Sequence, residues 1–271
     1  MTLLHTIETP PAGRRRGTIV AVPGLAESAQ TLDVTARHWA GQGFRVLAID
    51  PRGHGASPRW SPALLARHPG DLIVEEILET LAQLLSAADR PLIFFGHSAG
   101  GSAAAAAAVA WGEPVAAVVL EDPFWRLPVT PFQEREVASA AAAVLRRQKA
   151  LGDPERQAEI AAIFPRWPAD ELAAWSQAKA DMDVALVENG DVIPTRPWPA
   201  LLRDLAGAGV PVRIITGTIR IGITASHRAI IRATGAEVKV VPGATHFIRR
   251  DERQLFHDLV DRFFDRVIAA P

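Results

Sequence analysis

Gly96-His97-Ser98-Ala99-Gly100 places a serine in the spacing G-x-S-x-G. An apolar run, Leu92-Ile93-Phe94-Phe95, precedes it and reads as a buried strand. The alanine-rich stretch from Gly101 to Trp111 follows it and reads as a helix. A serine on a sharp strand-to-helix turn holds its hydroxyl clear of the sheet, exposed to a substrate. The first amides of the helix face the same point and suit a developing negative charge. Small residues at Gly96, Gly100 and Gly101 let the turn close and the helix approach the sheet. A serine hydroxyl is a poor nucleophile until a base takes its proton, and histidine has the proton affinity for that task near neutral pH. His246 follows the strand-like run Val238 to Val241 and precedes the last amphipathic segment. That sets it on the C-terminal edge of a sheet with Ser98, the edge where ligands bind in open α/β sheets. The other histidines read as structural. His54 braces a glycine-rich turn, His97 packs, His227 and His257 fall on helices, and His5, His38 and His68 have no evident partner.

The elements that must position this pair alternate along the chain. Strand-like runs occupy Gly17 to Val22, Phe44 to Ile49, Leu92 to Phe95, Val115 to Leu120, Val210 to Thr216 and Glu237 to Val241. Helical spacing marks Thr31 to Gly41, Asp71 to Ala87, Thr224 to Thr234 and about Glu252 to Ile268. Continuous rather than alternating apolar strands imply a sheet covered on both faces, and alternating β and α elements imply a mostly parallel, doubly wound α/β fold. The rhythm breaks between Asp122 and about Asp204. Helical patches there, Glu134 to Leu151, Asp153 to Ile163 and Ala169 to Met182, are interrupted by prolines. The expected organisation is a core of residues 1–122 and 205–271 with a helical lid inserted at 123–204. Four tryptophans, Trp125, Trp167, Trp175 and Trp198, lie in the insertion. They are expected to divide between the lid's own small core and the wall of an apolar pocket.

With 271 residues and a formal charge of −1, the chain is large enough for one full core and has no electrostatic reason to seek nucleic acid or anionic membrane. It has no cysteine, which removes disulfides, thiolate metal sites and a cysteine nucleophile. Arg14-Arg15-Arg16 precedes an apolar run too short for an export signal, and no stretch is long enough to span a bilayer. A cytoplasmic protein is expected. Oligomeric state is not legible, and a homodimer, the commonest assembly, is the default.

Four pieces in order resemble the α/β-hydrolase fold superfamily over nearly the whole chain. Val22-Pro23-Gly24-Leu25 looks like the loop after that family's third strand, and Asp50-Pro51-Arg52-Gly53-His54-Gly55 like its D-x-R-G-x-G turn. Gly96 to Gly100 looks like its nucleophile elbow, and Pro242-Gly243-Ala244-Thr245-His246-Phe247 like its G-x-x-H segment. The family's first strands are reduced here to Thr2 to Glu8 at most. The resemblance implies Ser98 as nucleophile, His246 as general base, and the amides of Leu25 and Ala99 as an oxyanion hole, with Gly24 beside the substrate.

The third member of such a triad is missing from its usual place. The loop after the family's seventh strand is here Gly217 to Thr224, and it contains no Asp or Glu. Some relatives, including certain lipases, carry the acid after the sixth strand, where this chain has Glu121-Asp122-Pro123. Pro123 holds residue 122 extended, and neighbouring side chains on a strand point opposite ways, so one of the two carboxylates faces His246. Asp122 is favoured, Glu121 is the second choice, and Asp50 reads as a structural turn residue. The acidic pair could also merely cap the entrance to the insertion.

Together these point to a serine hydrolase for a small, fairly apolar ester or lactone, with no cofactor or metal. Hydrolysis of a carbon–carbon, amide or carbamate bond is an alternative on the same residues. The empty acid position keeps a third reading open, a ligand-binding or catalytically weakened relative. Arg126, Arg166 and Arg196 in the insertion are candidates for a substrate carboxylate, with surface solvation the competing role for each.

Overall fold

The computed structural model describes residues 3–126 and 131–269. Seven strands, β1 (Thr6–Thr9), β2 (Gly17–Val22), β3 (Phe44–Ile49), β4 (Leu92–His97), β5 (Ala117–Glu121), β6 (Val212–Thr216) and β7 (Glu237–Val240), form one sheet in the order β1-β3-β2-β4-β5-β6-β7. Only β1 runs antiparallel, against β3, with Thr6 opposite Ile49. The other neighbours are parallel. The expected doubly wound, mostly parallel α/β sheet is therefore present, and the short N-terminal strand closes one edge.

Strand alternation divides the core into two layers. Val20, Val22 and Phe94 face one side with Leu120 and Ile214. Ile19, Ala21, Ile93 and Phe95 face the other, where Trp39, Phe256 and Phe264 cover them. The covering helices are α1 (Asp33–Gly41), α2 (Pro62–Leu65), α3 (Pro69–Leu84) and α4 (Ser98–Ala110) in the first half. α4 is nearly all alanine and glycine, and its residues Ala99 to Ala108 are buried. Small side chains let it lie between the sheet, α3 and a later helix over Trp198–Gly207. The helix predicted to reach Ala87 ends at Leu84, because Ser86 and Asp89 cap a separate 3₁₀ turn over Ala87–Asp89.

Between β5 and β6 no strand occurs among the described residues. The chain forms α5 (Pro131–Ala150), α6 (Asp153–Ile163), α7 (Ala169–Asp181), α8 (Val184–Asn189) and α9 (Trp198–Gly207). α5 packs on α7 and α8, α6 on α7, and α7 on the 3₁₀ turn Ala29–Leu32 that follows β2. α9 runs through residue 204 and packs on α4 and β6. Then come α10 (Ala225–Arg232), α11 (Ile248–Asp251) and α12 (Arg253–Ala269). Among the described residues no helix is long and apolar enough to cross a membrane.

Candidate active site

β4 ends at His97 and Ser98 opens α4 directly, with no intervening loop. Ser98 adopts φ 54°, a left-handed backbone that costs a non-glycine residue on the order of 1–2 kcal/mol and persists where the surroundings enforce it. The enforcement is visible. A methyl group added at Gly100 would lie 2.1 Å from the Pro23 carbonyl oxygen, and one added at Gly24 would lie 3.2 Å from Ser98 Cβ. The loop after β2 thus rests on the elbow. Leu25 and Ala99 share a narrow apolar cleft of about 10 Å³, walled by Pro23, Pro51, Ile73, Leu186 and Val192.

His246 stands beside the elbow. His97 Nε2–H donates to the His246 carbonyl at 3.0 Å, and the two imidazole rings are 4.7 Å apart. His246 Nδ1–H donates to Asp122 Oδ2 at 2.5 Å. That bond fixes the tautomer and leaves Nε2 as the basic nitrogen. Asp122, the first residue after β5, is fully buried at φ 38°, a left-handed conformation rather than the extended one expected before Pro123. It also accepts from Thr216 Oγ1 at 2.6 Å and from the amides of Gly222 and Ile223 at 2.6 and 3.0 Å. Burial pushes its carboxyl up, but the His246 contact and these donors outweigh burial and hold it below the usual range. The loop that lacks an acid therefore supplies the amides that receive one.

Glu121 points the other way. Its carboxylate accepts the Arg249 amide at 2.8 Å and pairs with the Arg249 guanidinium. Arg249 Nη2 and Arg250 Nη1 each donate to Glu27 at 2.9 Å, and Arg250 Nε donates to Glu171 at 2.9 Å. All five are buried. Burial pushes the Glu27 carboxyl up, yet Arg249, His97 and Arg250 hold it well below the usual range. His97 Nδ1 lies 3.1 Å from Glu27 Oε1, at an angle that makes no hydrogen bond. Burial keeps the His97 imidazole below its ordinary range against the pull of Glu27 and Glu121. This buried lattice ties the loop after β2, the end of β5 and the segment after His246 together.

The four tryptophans separate into two pairs. Trp167 and Trp175 meet edge to face at 5.1 Å and both pack on Phe247, next to His246. Trp125 and Trp198 stack at 4.8 Å and line a second cleft with Arg126 and Arg196. Arg126 donates to the Gly190 carbonyl at 2.8 Å, Arg166 to Glu252 at 3.2 Å, and Arg196 pairs with Asp204. Asp50 accepts the amides of Ala29 and Ala56 and binds His5, bracing its own turn. His54 Nδ1–H donates to the Arg52 carbonyl at 3.2 Å. His227 Nε2–H donates to the Trp125 carbonyl at 2.8 Å, and His257 stacks on His38.

Sequence reasoning did not find Glu27, Glu171, Lys179, Arg249 or Arg250, nor Thr216 and the Gly222 and Ile223 amides. One signal was available: Arg249-Arg250 follows His246-Phe247 within a single turn, where a core-facing helix start should be apolar.

Residues 13–185 match the family described as serine aminopeptidase, S33. No curated protein is similar enough to match. Among solved structures, the chain is similar to E-2-(acetamidomethylene)succinate hydrolase, at 20% identity and TM-score 0.74, covering 97% of this chain and 95% of that one. It is also similar to an N-formylmaleamic acid deformylase from Pseudomonas putida S16, at 21% identity and TM-score 0.70, covering 94% and 95%. An esterase from Exiguobacterium antarcticum aligns at 16% identity and TM-score 0.72, covering 96% and 95%.

Proposed function

The chain belongs to the serine aminopeptidase S33 family of α/β hydrolases, and from that premise we propose that it is a serine hydrolase acting on a small, fairly apolar ester or lactone. The observation that carries this reading is the 2.5 Å bond from His246 Nδ1 to Asp122, made beside a serine held at positive φ on the elbow. Ser98 Oγ attacks the carbonyl carbon while His246 Nε2 takes its proton. The amides of Leu25 and Ala99 receive the oxyanion, each donor worth about 3 kcal/mol by comparison with other oxyanion holes. His246 then protonates the leaving oxygen, and an acyl-serine remains. Water, deprotonated by His246, attacks the acyl carbon and releases the acid and Ser98. Asp122 keeps the imidazole in its working tautomer and stabilises its charged form. The apolar walls of the cleft at Leu25 and Ala99 suit a small acyl group. Residues 123–204 act as a cap over this edge.

Ser98→Ala is expected to abolish hydrolysis of short p-nitrophenyl esters and labelling by a fluorophosphonate probe, with an unchanged circular dichroism spectrum. Intact mass after mixing with the esters should show an acyl adduct on wild type alone. Retained turnover in Ser98→Ala removes the proposal. A wild type that folds, binds small apolar esters and never labels is a binding protein.

A further inference from the structure

Leu25 connects to the cap through two peptide groups. Lys179 Nζ, on α7, donates to the Ala26 carbonyl at 2.8 Å. At the other end of that peptide, the Glu27 N–H donates to the Gly24 carbonyl at 3.0 Å. The Gly24 carbonyl and the Leu25 N–H belong to the next peptide back, and in a trans peptide these two groups point in opposite directions. An ammonium, two peptide groups and the Leu25 N–H are therefore joined head to tail. Among the described residues no acceptor meets the Leu25 amide.

The geometry points to Lys179 as a positioning residue for the oxyanion hole: its ammonium clamps the outer end of this line, and so aims and polarises the Leu25 amide. The inference rests on the serine hydrolase reading above. Hydrogen bonds in series polarise one another, most strongly when a full charge stands at one end. The turn needs such a clamp. Ala26 stands at φ 59°, in the third place of a turn that ordinarily takes glycine. Glu27 secures the near side, its Oε2 accepting the Gly24 amide at 3.0 Å. Lys179 secures the far side from a helix of the insertion, which makes a correctly aimed amide depend on a seated cap.

The surroundings of Lys179 are those of a tuned group rather than a surface tether. Nζ lies 3.8 Å from the Trp175 ring centroid on its own helix, and the residue is buried. The charged groups facing it are Glu27 from the turn and Arg250 from α11. Burial pushes its ammonium down to about 7, Glu27 opposing and Arg250 adding to the shift. A neutral amine still donates to Ala26 but no longer polarises the line.

Lys179→Met and Lys179→Arg, made in the full chain, test this with p-nitrophenyl acetate and the fluorophosphonate probe. Lys179→Met is expected to lower kcat about tenfold, less than deletion of an oxyanion donor. KM should stay within about twofold, and labelling should slow by the same factor as kcat. Wild-type kcat should fall as the ammonium titrates, and Lys179→Arg, whose charge does not titrate, should extend the plateau by more than about one pH unit. Wild-type kcat in Lys179→Met overturns the inference, as does a loss expressed only in KM. If Lys179→Met does not fold, an alkaline limb unmoved in Lys179→Arg overturns it. Wild type that neither labels nor turns over any ester removes the hydrolase reading itself, and this inference with it.

Discussion

In the body of the sheet, every residue of β2 and β4 is buried, and apolar side chains alternate cleanly between two covered faces. At the carboxyl rim of the same strands the construction inverts. The four non-glycine residues with positive φ among those described, Ala26, Ser98, Asp122 and Arg220, all lie in rim loops or strand-end turns. Beside them, Glu27, Glu121, Glu171, Arg249 and Arg250 form a buried lattice of charge. The body is stabilised by packing that tolerates any side chain of suitable size and shape. The rim is a set of specific distances held against local strain, as expected where pre-organisation matters more than stability.

That contrast can be broken most decisively at the two neighbouring carboxylates. Asp122→Asn should act mainly on turnover, depressing kcat on the order of ten-thousand-fold as loss of an orienting acid does elsewhere, with a smaller loss of stability because an amide NH2 replaces an oxygen that accepts the Gly222 or Ile223 N–H. Glu121→Ala should do the opposite, costing roughly 3–5 kcal/mol in urea denaturation because it strands part of the Arg249 charge in the interior. Activity lost in the Glu121 variant and kept in the Asp122 variant would exchange their roles. In the body, Phe95→Ala should cost about 3–5 kcal/mol by leaving a cavity, while the molecules still folded keep wild-type kcat.

Lys179 sharpens the comparison through pH. Its ammonium is pushed down to about 7 in the folded chain from an ordinary 10.5. Below the lower value it is charged in both states, and above the upper value it is neutral in both. Between them the unfolded chain binds the extra proton, so folding stability rises with pH, by up to about 1.4 kcal/mol per pH unit. Denaturation midpoints between pH 7 and 10 should show this slope in wild type and lose it in Lys179→Met. The smallest effect is expected at Ala26→Gly, which relieves the turn and should stabilise by at most about 1 kcal/mol. A destabilised Ala26→Gly would mean that the positive φ carries no strain.

The rim was legible in sequence where one local segment carries the whole signal. G-x-S-x-G between a strand and a helix needs no distant partner to be read, and neither does a histidine just after the last strand. The Asp122–Pro123 step was readable only through resemblance, with Glu121 left beside it, because which of two adjacent carboxylates faces His246 depends on how β5 leaves the sheet. The lattice was not readable. Glu27 and Arg249 are separated by 222 positions, and no periodicity links them. Backbone donors such as Gly222 and Ile223 carry no side-chain signature at all. Element ends shifted for a local reason, as at Ser86, where a cap outcompeted continuation of the apolar stripe.

Asp122 is the last position of the scaffold before the chain departs into the long excursion that returns at β6. A graft that replaces residues 124–204 would leave both His246 and its anchor in place and exchange only the helical segment between β5 and β6. A splice made three residues earlier would remove that anchor, and with it the Glu121 carboxylate that pairs with Arg249. Recombination among relatives of this shape is thus free on one side of a single peptide bond and penalised on the other.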